Sequence, residues 1–201
     1  MVLDSSLMAR AGLDQATVVA AAGELANAEG LAALTLTALA IKLKVKPPSL
    51  LHHVGSLNQL RRQLALAGMR GLREAVSKAA LGLAGADAIR AMAHAYRAYA
   101  RAHPGVYEAS QVAPDPDDAE CKAALYAIFE VVAAAFRIYG LSRSTLLHEM
   151  RALRASLHGF VALEARRGFG LPESIDTSFK RHVEIHIVAL EQLKNGKSAE
   201  R

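Results

Sequence analysis

The sequence is nearly without cysteine, since Cys121 is the only one among 201 residues, and it contains no tryptophan. A single cysteine excludes a disulfide within the chain and is typical of a reducing compartment. Residues 1–12 lack the basic and apolar regions of a signal peptide, and no apolar run reaches the roughly 18 residues that a membrane span needs. We therefore expect a cytoplasmic protein that has no membrane partner.

Aromatic residues are also scarce, at 5% of the chain, whereas the apolar fraction is 52% and consists largely of alanine and leucine. Alanine and leucine are the strongest helix formers, while strands favour β-branched and aromatic residues. The composition therefore predicts an all-α protein that is long enough to bury a substantial core.

The chain has a net charge of +5, and its acidic residues are unevenly distributed. Between Lys42 and Lys78 there are eight lysines or arginines and a single acid, Glu74, whereas residues 79–201 hold 15 basic and 14 acidic groups. A basic N-terminal part beside a nearly neutral remainder fits a nucleic-acid-binding protein, although a solvated charged surface would give the same counts.

This basic part contains three closely spaced helical segments. Thr35 is a good N-cap for a first helix, which a Pro-Pro pair ends. The second segment, PPSLLHHV, is called here the reader helix, and Ser56 begins a third segment through its capping-box spacing with Gln59. Because a two-turn helix is too short to be stable alone, the pattern predicts a helix-turn-helix whose reader helix contacts the major groove of DNA.

Caps and breakers predict the other helices. Asp14 and Gly30 bound the first, and the helix that starts at Ser56 extends to about residue 80 through Gly68 and Gly71. Later helices are predicted at about 86–102, 117–139, 142–167 and 176–194. The predicted organisation is a helix-turn-helix DNA-binding domain at residues 10–56 and a helical effector-binding and dimerisation domain at residues 57–201.

The string LTLTALAIKLKVKPPSLLHHVGSLNQL, together with the order of elements and the length, resembles the TetR family of bacterial transcriptional regulators. The segments RAYARAHPGVYE, RALRASLHGFVALEARRGFGLP and IDTSFKRHV resemble one branch of that family. The resemblance implies an all-helical homodimer that binds double-stranded operator DNA through its N-terminal domains. It also implies a small-molecule effector, which the sequence does not identify, and no cofactor.

The resemblance carries the family's DNA-contacting positions onto Thr37, Lys46, Pro47, Pro48, Ser49, Leu51, His52 and His53. Among these, Lys46 supplies charge and Ser49 can donate to a phosphate or a base edge. The chain departs from the family at Lys44, where glycine is usual, at Leu51, where an aromatic is usual, and at Leu57, where lysine is common. The alternative that one of the two histidines packs beneath the reader helix stays open.

Aromatic residues and methionines of the middle helices, with one arginine, could line a pocket for a mostly apolar ligand. The predicted ligand-binding residues are Met92, Tyr96, Tyr99, Tyr107, Phe129, Phe136, Met150 and Arg154. Their spacing alone favours an ordinary core over a pocket, whereas the resemblance favours a pocket for the set, though not for any one residue.

The last two predicted helices each carry an apolar seam, and the first also carries a stripe of small side chains. The predicted dimer-interface residues are Leu153, Leu157, Gly159, Phe160, Val183, Ile187 and Leu190. The alternative is that both seams face the core of the subunit.

Motifs for catalysis are missing from the sequence: it has no nucleophile elbow, phosphate-binding glycine loop or zinc-protease motif. His182 and His186 have an i, i+4 spacing that can bind a metal, but no third ligand accompanies them, so we expect neither a metal site nor an enzyme. The sequence predicts a ligand-responsive transcriptional repressor. The alternatives are a DNA-binding dimer without an effector and a helical ligand-binding protein or enzyme with a degenerate reader helix.

Overall fold

The computed structural model describes the backbone of residues 13–199 and the side chains of residues 13–195. The described backbone is helical and contains no strand, which confirms the expected all-α class. The α-helices are α1 (Gln15–Glu29), α2 (Leu36–Leu43), α3 (Pro47–Val54), α4 (Leu57–Ala79), α5 (Gly85–Ala102), α6 (Pro104–Ala109), α7 (Ala119–Phe136), α8 (Arg143–Ala165) and α9 (Ile175–Ala199). Short 3-10 turns follow α1 at Leu31–Ala33 and α7 at Arg137–Tyr139.

Three helices begin at the predicted capping residues Asp14, Thr35 and Ser56, and α8 follows Ser142, the predicted first residue of its helix. The side-chain oxygens of Asp14, Thr35, Ser56 and Ser142 each accept the backbone N–H three residues later, at 2.7, 3.1, 3.1 and 3.2 Å. Asp118 does the same at the start of α7, at 3.0 Å. Each of these caps pairs a backbone donor that a helix start leaves unsatisfied, so the local sequence determines where these helices begin.

The chain forms two compact units, and the first comprises the residues up to Gly68 together with Gly105–Val112. In this unit α1, α2 and α3 pack against one another around a core in which Val18, Leu39 and Leu50 are fully buried. The unit is larger than the predicted domain of residues 10–56, because the first half of α4 and the residues of α6 from Gly105 onward also belong to it. The predicted start at residue 10 lies outside the described residues.

The second unit comprises Met69–Pro104 and the residues from Ala113 onward. Its central helix is α5, which packs against α7, α8 and α9. Ile89, Phe136 and Phe179 are almost completely buried in its core. This arrangement surrounds α5 with the helices that carry most of the predicted effector and interface residues.

Helix α4 continues without a break through Gly68 and Gly71, as the sequence predicts. A Cβ atom at Gly68 would lie 2.5 Å from the carbonyl oxygen of Val106, and one at Gly71 would lie 2.5 Å from the hydroxyl of Tyr99. Each glycine therefore makes room for a neighbour inside its own unit, which offsets its low helix propensity.

No single helix among the described residues is long and apolar enough to cross a membrane. Within the same residues, the pair Ala119–Tyr139 and Arg143–Ala165, bent by 117°, reaches that length and composition when its two members are taken together.

Candidate nucleic-acid interface and regulatory helices

The turn between α2 and the reader helix, α3, is closed by a Schellman motif. The Val45 N–H donates to the Ala40 carbonyl at 3.0 Å, and the Lys44 N–H donates to the Ile41 carbonyl at 3.1 Å. This motif places Lys44 in the left-handed region, with φ 55° and ψ 40°. Glycine is the usual residue at such a position because it adopts this conformation without strain. This explains why glycine is usual in the family at the position where this chain has Lys44.

The reader helix buries one face and exposes the other. Leu50 and Val54 are buried in the core of the first unit. The predicted DNA-contacting residues that are exposed are Thr37, Lys46, Pro47, Pro48, Ser49, Leu51 and His52. Since this surface carries a lysine and a hydroxyl and is open over two turns, it has the size and chemistry of a groove-binding surface.

The start of the reader helix has few backbone donors. Pro47 and Pro48 occupy its first two positions and have no N–H, and the Ser49 N–H donates to the Lys46 carbonyl at 2.9 Å. Many DNA-binding helices use N-terminal amides to hold a phosphate. Lys46 and Ser49 are exposed at this end of the helix, and their side chains can donate hydrogen bonds.

The two histidines of the reader helix differ in burial. His52 is exposed, whereas His53 is partly buried, and their rings meet edge to face with centroids 5.3 Å apart. His53 is thus the one closer to the underside of the helix, so His52 is the better placed of the two to reach a base edge.

Helix α6 is anchored in the first unit by Asn27 of α1. The Asn27 Oδ1 accepts the backbone N–H groups of Gly105 and Val106, each at 3.0 Å. A Cβ atom on Gly105 would overlap the carbonyl group of Ala26, so only glycine permits this close approach. Sequence reasoning missed this contact because Asn27 and Gly105 are 78 positions apart and no local pattern links them.

The predicted effector residues belong to both units and to several helices. Met92, Tyr96 and Tyr99 follow one another along α5, Phe129 and Phe136 lie on α7, and Met150 lies on α8. Tyr107, by contrast, belongs to the first unit, and Arg154 is on the exposed side of α8. Burial raises the pKa of Tyr99, which therefore stays a neutral hydroxyl that can donate or accept.

Helix α7 is rich in apolar residues, but many of their side chains are not fully buried. It contacts α5 and α8, yet many of its apolar side chains are only partly buried: Leu125, Ile128, Phe129, Val131 and Val132. Met92 of α5 and Met150 of α8 are buried. An apolar helix that keeps partly accessible side chains next to helices with buried methionines and tyrosines is a candidate wall for an apolar ligand.

The predicted dimer interface needs correction, because most of its residues form the core of the subunit itself. The residues almost completely buried within one chain are Leu153, Leu157, Phe160, Val183, Ile187 and Leu190. They lie on helices α8 and α9, both of which pack against α5, so almost none of their surface is left for a partner. Of the predicted set, only Gly159 has open space where its side chain would be.

A different face of α8 and α9 is open and apolar. Leu163 is 51% exposed, Ile185 68% and Val188 53%. Small residues, Ala152 and Ala155, are exposed on the same side of α8 as Gly159. The sequence did contain this second stripe, but the longer apolar seam beside it was the stronger signal.

An ion-pair network centred on the buried Arg97 joins α5 to α8 and to the first turn of α9. Arg97, 6% exposed, donates to both carboxylate oxygens of Glu164 at 2.8 and 2.6 Å and lies 2.7 Å from Asp176 Oδ1. Its guanidinium also lies over the Phe179 ring, 4.8 Å from the centroid. Hydrogen bonds from Arg97 hold the pKa of both carboxyl groups below their usual range.

A second polar cluster lies between α8 and α9. The Ser156 Oγ is 2.7 Å from the Nε2 of His182 and 2.8 Å from the Nε2 of His186. The ring of His182 packs against Phe160 and Phe179, at centroid distances of 5.4 and 6.5 Å. Burial lowers the pKa of His186, and the nearby His182 lowers it further.

The exposed reader helix, its supporting helices and the helical second unit are those of a helix-turn-helix transcriptional regulator. The HTH-type transcriptional regulator YobS of Bacillus subtilis is 34% identical over 166 residues, which is 83% of this chain and 86% of that protein. The family described as "Tetracyclin repressor-like, C-terminal domain" matches residues 89–186. This chain belongs to the TetR family of transcriptional regulators.

Solved structures have the same fold at lower identity. A single-residue variant of TetR from Acinetobacter baumannii AYE, in complex with minocycline, has a TM-score of 0.68 and 24% identity, covering 90% of this chain and 98% of that one. BioQ with its double-stranded DNA operator has a TM-score of 0.65 and 24% identity, covering 89% and 98%. At this identity the likeness establishes the fold alone.

Proposed function

We propose that this protein is a ligand-responsive repressor that binds near-palindromic operator DNA as a homodimer in the cytoplasm. The observation that carries the proposal is the reader helix, whose outer face is exposed over its whole length while its inner face is fixed by Leu50 and Val54. The similar BioQ has been crystallised with operator DNA, which supports the same role for this surface.

The proposed partner in assembly is a second copy of the chain. Leu163, Ile185 and Val188 form an exposed apolar face that is costly to leave in water, and Gly159 lets another helix backbone approach closely. Two subunits joined by a two-fold axis at this face would present two reader helices to two half-sites, about one helical turn or roughly 34 Å apart.

The proposed effector is a mostly apolar small molecule bound beside α7. Support comes from the partly accessible apolar side chains of α7 and from the tyrosine hydroxyls of α5, which provide polar anchors. The similar TetR variant is in complex with minocycline, which supports a small-molecule effector for the present chain.

Two helices, α4 and α6, connect the effector region to the unit that contains the reader helix. Helix α4 contributes its first half to one unit and its second half to the other. Helix α6 follows α5 directly, and its residues from Gly105 onward belong to the first unit. Asn27 fixes α6 to α1. A ligand that binds more tightly to the DNA-released form would therefore shift the equilibrium away from operator binding, by about 1–3 kcal/mol in typical cases.

Selection of bound sequences from random DNA, followed by salt titration, tests the DNA-binding role. We expect a near-palindromic site whose affinity falls steeply between about 50 and 200 mM salt. Lys46→Ala should weaken binding to every sequence and reduce the salt slope of the dimer by about two units, about one for each of its two subunits. Lys78→Ala, at the end of α4 in the second unit, is the matched control and should leave the slope unchanged. Binding that is insensitive to salt would contradict the proposal.

Operator affinity titrated with candidate ligands tests the regulatory role. Phe129→Ala removes a partly buried ring of α7, and we expect the effector concentration for half-release to rise roughly tenfold while ligand-free DNA binding is kept. Tyr126→Ala, at a residue of the same helix that is 63% exposed, serves as the control. If a releasing ligand acts equally on both variants, the effector does not bind beside α7.

A further inference from the structure

We propose that His182 and His186 bind a divalent transition-metal ion of the kind that prefers imidazole, such as Zn²⁺, at the position that the Ser156 hydroxyl now holds. The sequence offered only a two-histidine spacing and no third ligand. The structure adds that the Nε2 atoms of both rings converge on one oxygen atom, at 2.7 and 2.8 Å.

Convergence of two imidazole nitrogens on one point is the arrangement that chelation requires. Zinc–nitrogen distances are about 2.0–2.1 Å, so each nitrogen has to approach the shared point by less than about 1 Å. Rotation of the Ser156 side chain away from the rings vacates that point. The hydroxyl hydrogen bonds given up are replaced by stronger metal–nitrogen bonds.

The rings are held in place before any ion arrives. Phe160 and Phe179 pack against His182, and His186 meets His182 edge to face with centroids 5.6 Å apart. Side chains that packing already holds in place lose little conformational entropy when they bind an ion. Two histidines held in this way therefore bind an ion more tightly than two flexible ones.

The remaining coordination positions face an accessible surface. Ser156 lies one turn before Gly159, where a Cβ atom would have no neighbour within 4 Å, and the two histidines flank Ile185, which is 68% exposed. No three His, Cys, Asp or Glu side chains in the described part of the chain come together around one ion. Water, or the same two histidines of another copy, therefore has to complete the coordination shell.

The test is calorimetric titration of Zn²⁺ into the full-length, untagged chain, which needs neither DNA nor an effector and is independent of the proposed function. We expect saturable binding. One ion per subunit would indicate that water completes the coordination shell, and one ion per two subunits would indicate that the histidines of another copy complete it. His182→Gln and His186→Gln should each weaken binding at least roughly tenfold. Glutamine keeps a hydrogen bond to Ser156 but is a poor zinc ligand, so the fold should survive, as checked by circular dichroism.

Two further variants make the result specific. Ser156→Ala removes the group that the ion displaces, so its binding should equal or exceed that of the wild type. The double variant His52→Ala and His53→Ala removes the other closely spaced histidines and should leave binding unchanged. The proposal is overturned by absence of binding in the wild type, by full binding in either glutamine variant, or by loss of binding in Ser156→Ala.

Discussion

At the scale of single residues, Lys44 shows how a local backbone requirement can conflict with side-chain chemistry. Its φ of 55° closes the Schellman motif before the reader helix, although a residue with a Cβ atom loses roughly 1–2 kcal/mol in this conformation. Lys44 is exposed and adds a positive charge beside the reader helix. The turn therefore carries a charged side chain in a backbone conformation that costs stability.

We expect Lys44→Gly to raise the free energy of unfolding by up to about 1 kcal/mol, because the relief of strain exceeds the extra backbone entropy that glycine loses on folding. Urea denaturation followed by circular dichroism measures the change. Lys42→Gly, inside α2, should have the opposite effect, since it places glycine in a helix and removes the ion pair with Glu24 at 3.0 Å. Equal destabilisation by both substitutions would show that the turn is not strained.

Residues that act through their immediate neighbours were the most predictable from the sequence. The caps at Asp14, Thr35 and Ser56 each bond an N–H three positions away, so the pattern contains the whole interaction. Asn27 and Ser156 bond partners 78 and 26 positions away. Nothing near them in the sequence indicates which element will pack against them, so these contacts could not be predicted.

At the scale of elements, the bounds of most helices were predicted closely, but which face of α8 and of α9 is buried was not. Both helices carry two neighbouring stripes that fit helical packing, one of large apolar residues and one that includes Ala155, Gly159 and Ile185. Periodicity locates a stripe without stating what it faces. The position of α5 decides the matter, because α8 and α9 pack against it and bury their larger side chains.

The Arg97–Glu164 pair holds α5 to α8 and gives the second unit a pH-dependent stability. Since Arg97 lowers the pKa of Glu164 and Asp176 in the folded state, the stabilisation is complete above the unfolded carboxyl pKa, about 4–4.5, and is lost as pH falls through the lower folded pKa. Stability measured by chemical denaturation should therefore decrease below about pH 4.5.

Glu164→Gln should lower stability at pH 7 by roughly 1.5–3 kcal/mol, because it removes charged hydrogen bonds from a buried guanidinium. The difference from the wild type should shrink as the pH falls, since protonation then removes the same charge from Glu164. Glu130→Gln, on the exposed side of α7, is the control and should change little at any pH. A difference that stays constant with pH would contradict the assigned role of the carboxylate.

At the scale of the whole molecule, the proposed homodimer would bring two reader helices to one operator, and we propose that it assembles through the open face of α8 and α9. Gly159→Arg tests it without harming the subunit, because a Cβ atom at that position meets nothing within 4 Å. A long charged side chain there would block close approach of a second helix backbone and bury a charge without a partner. We therefore expect a folded monomer.

Sedimentation velocity at micromolar concentration measures the change, with thermal unfolding to verify the fold. Gly170→Arg is the matched control, since Gly170 also has open space around it but lies in the loop after α8, and it should remain a dimer. The Gly159→Arg monomer should still bind DNA through one half-site, with weaker affinity and a smaller salt slope, because half of the phosphate contacts are lost. A dimer that persists unchanged in Gly159→Arg would place the assembly surface elsewhere on the chain.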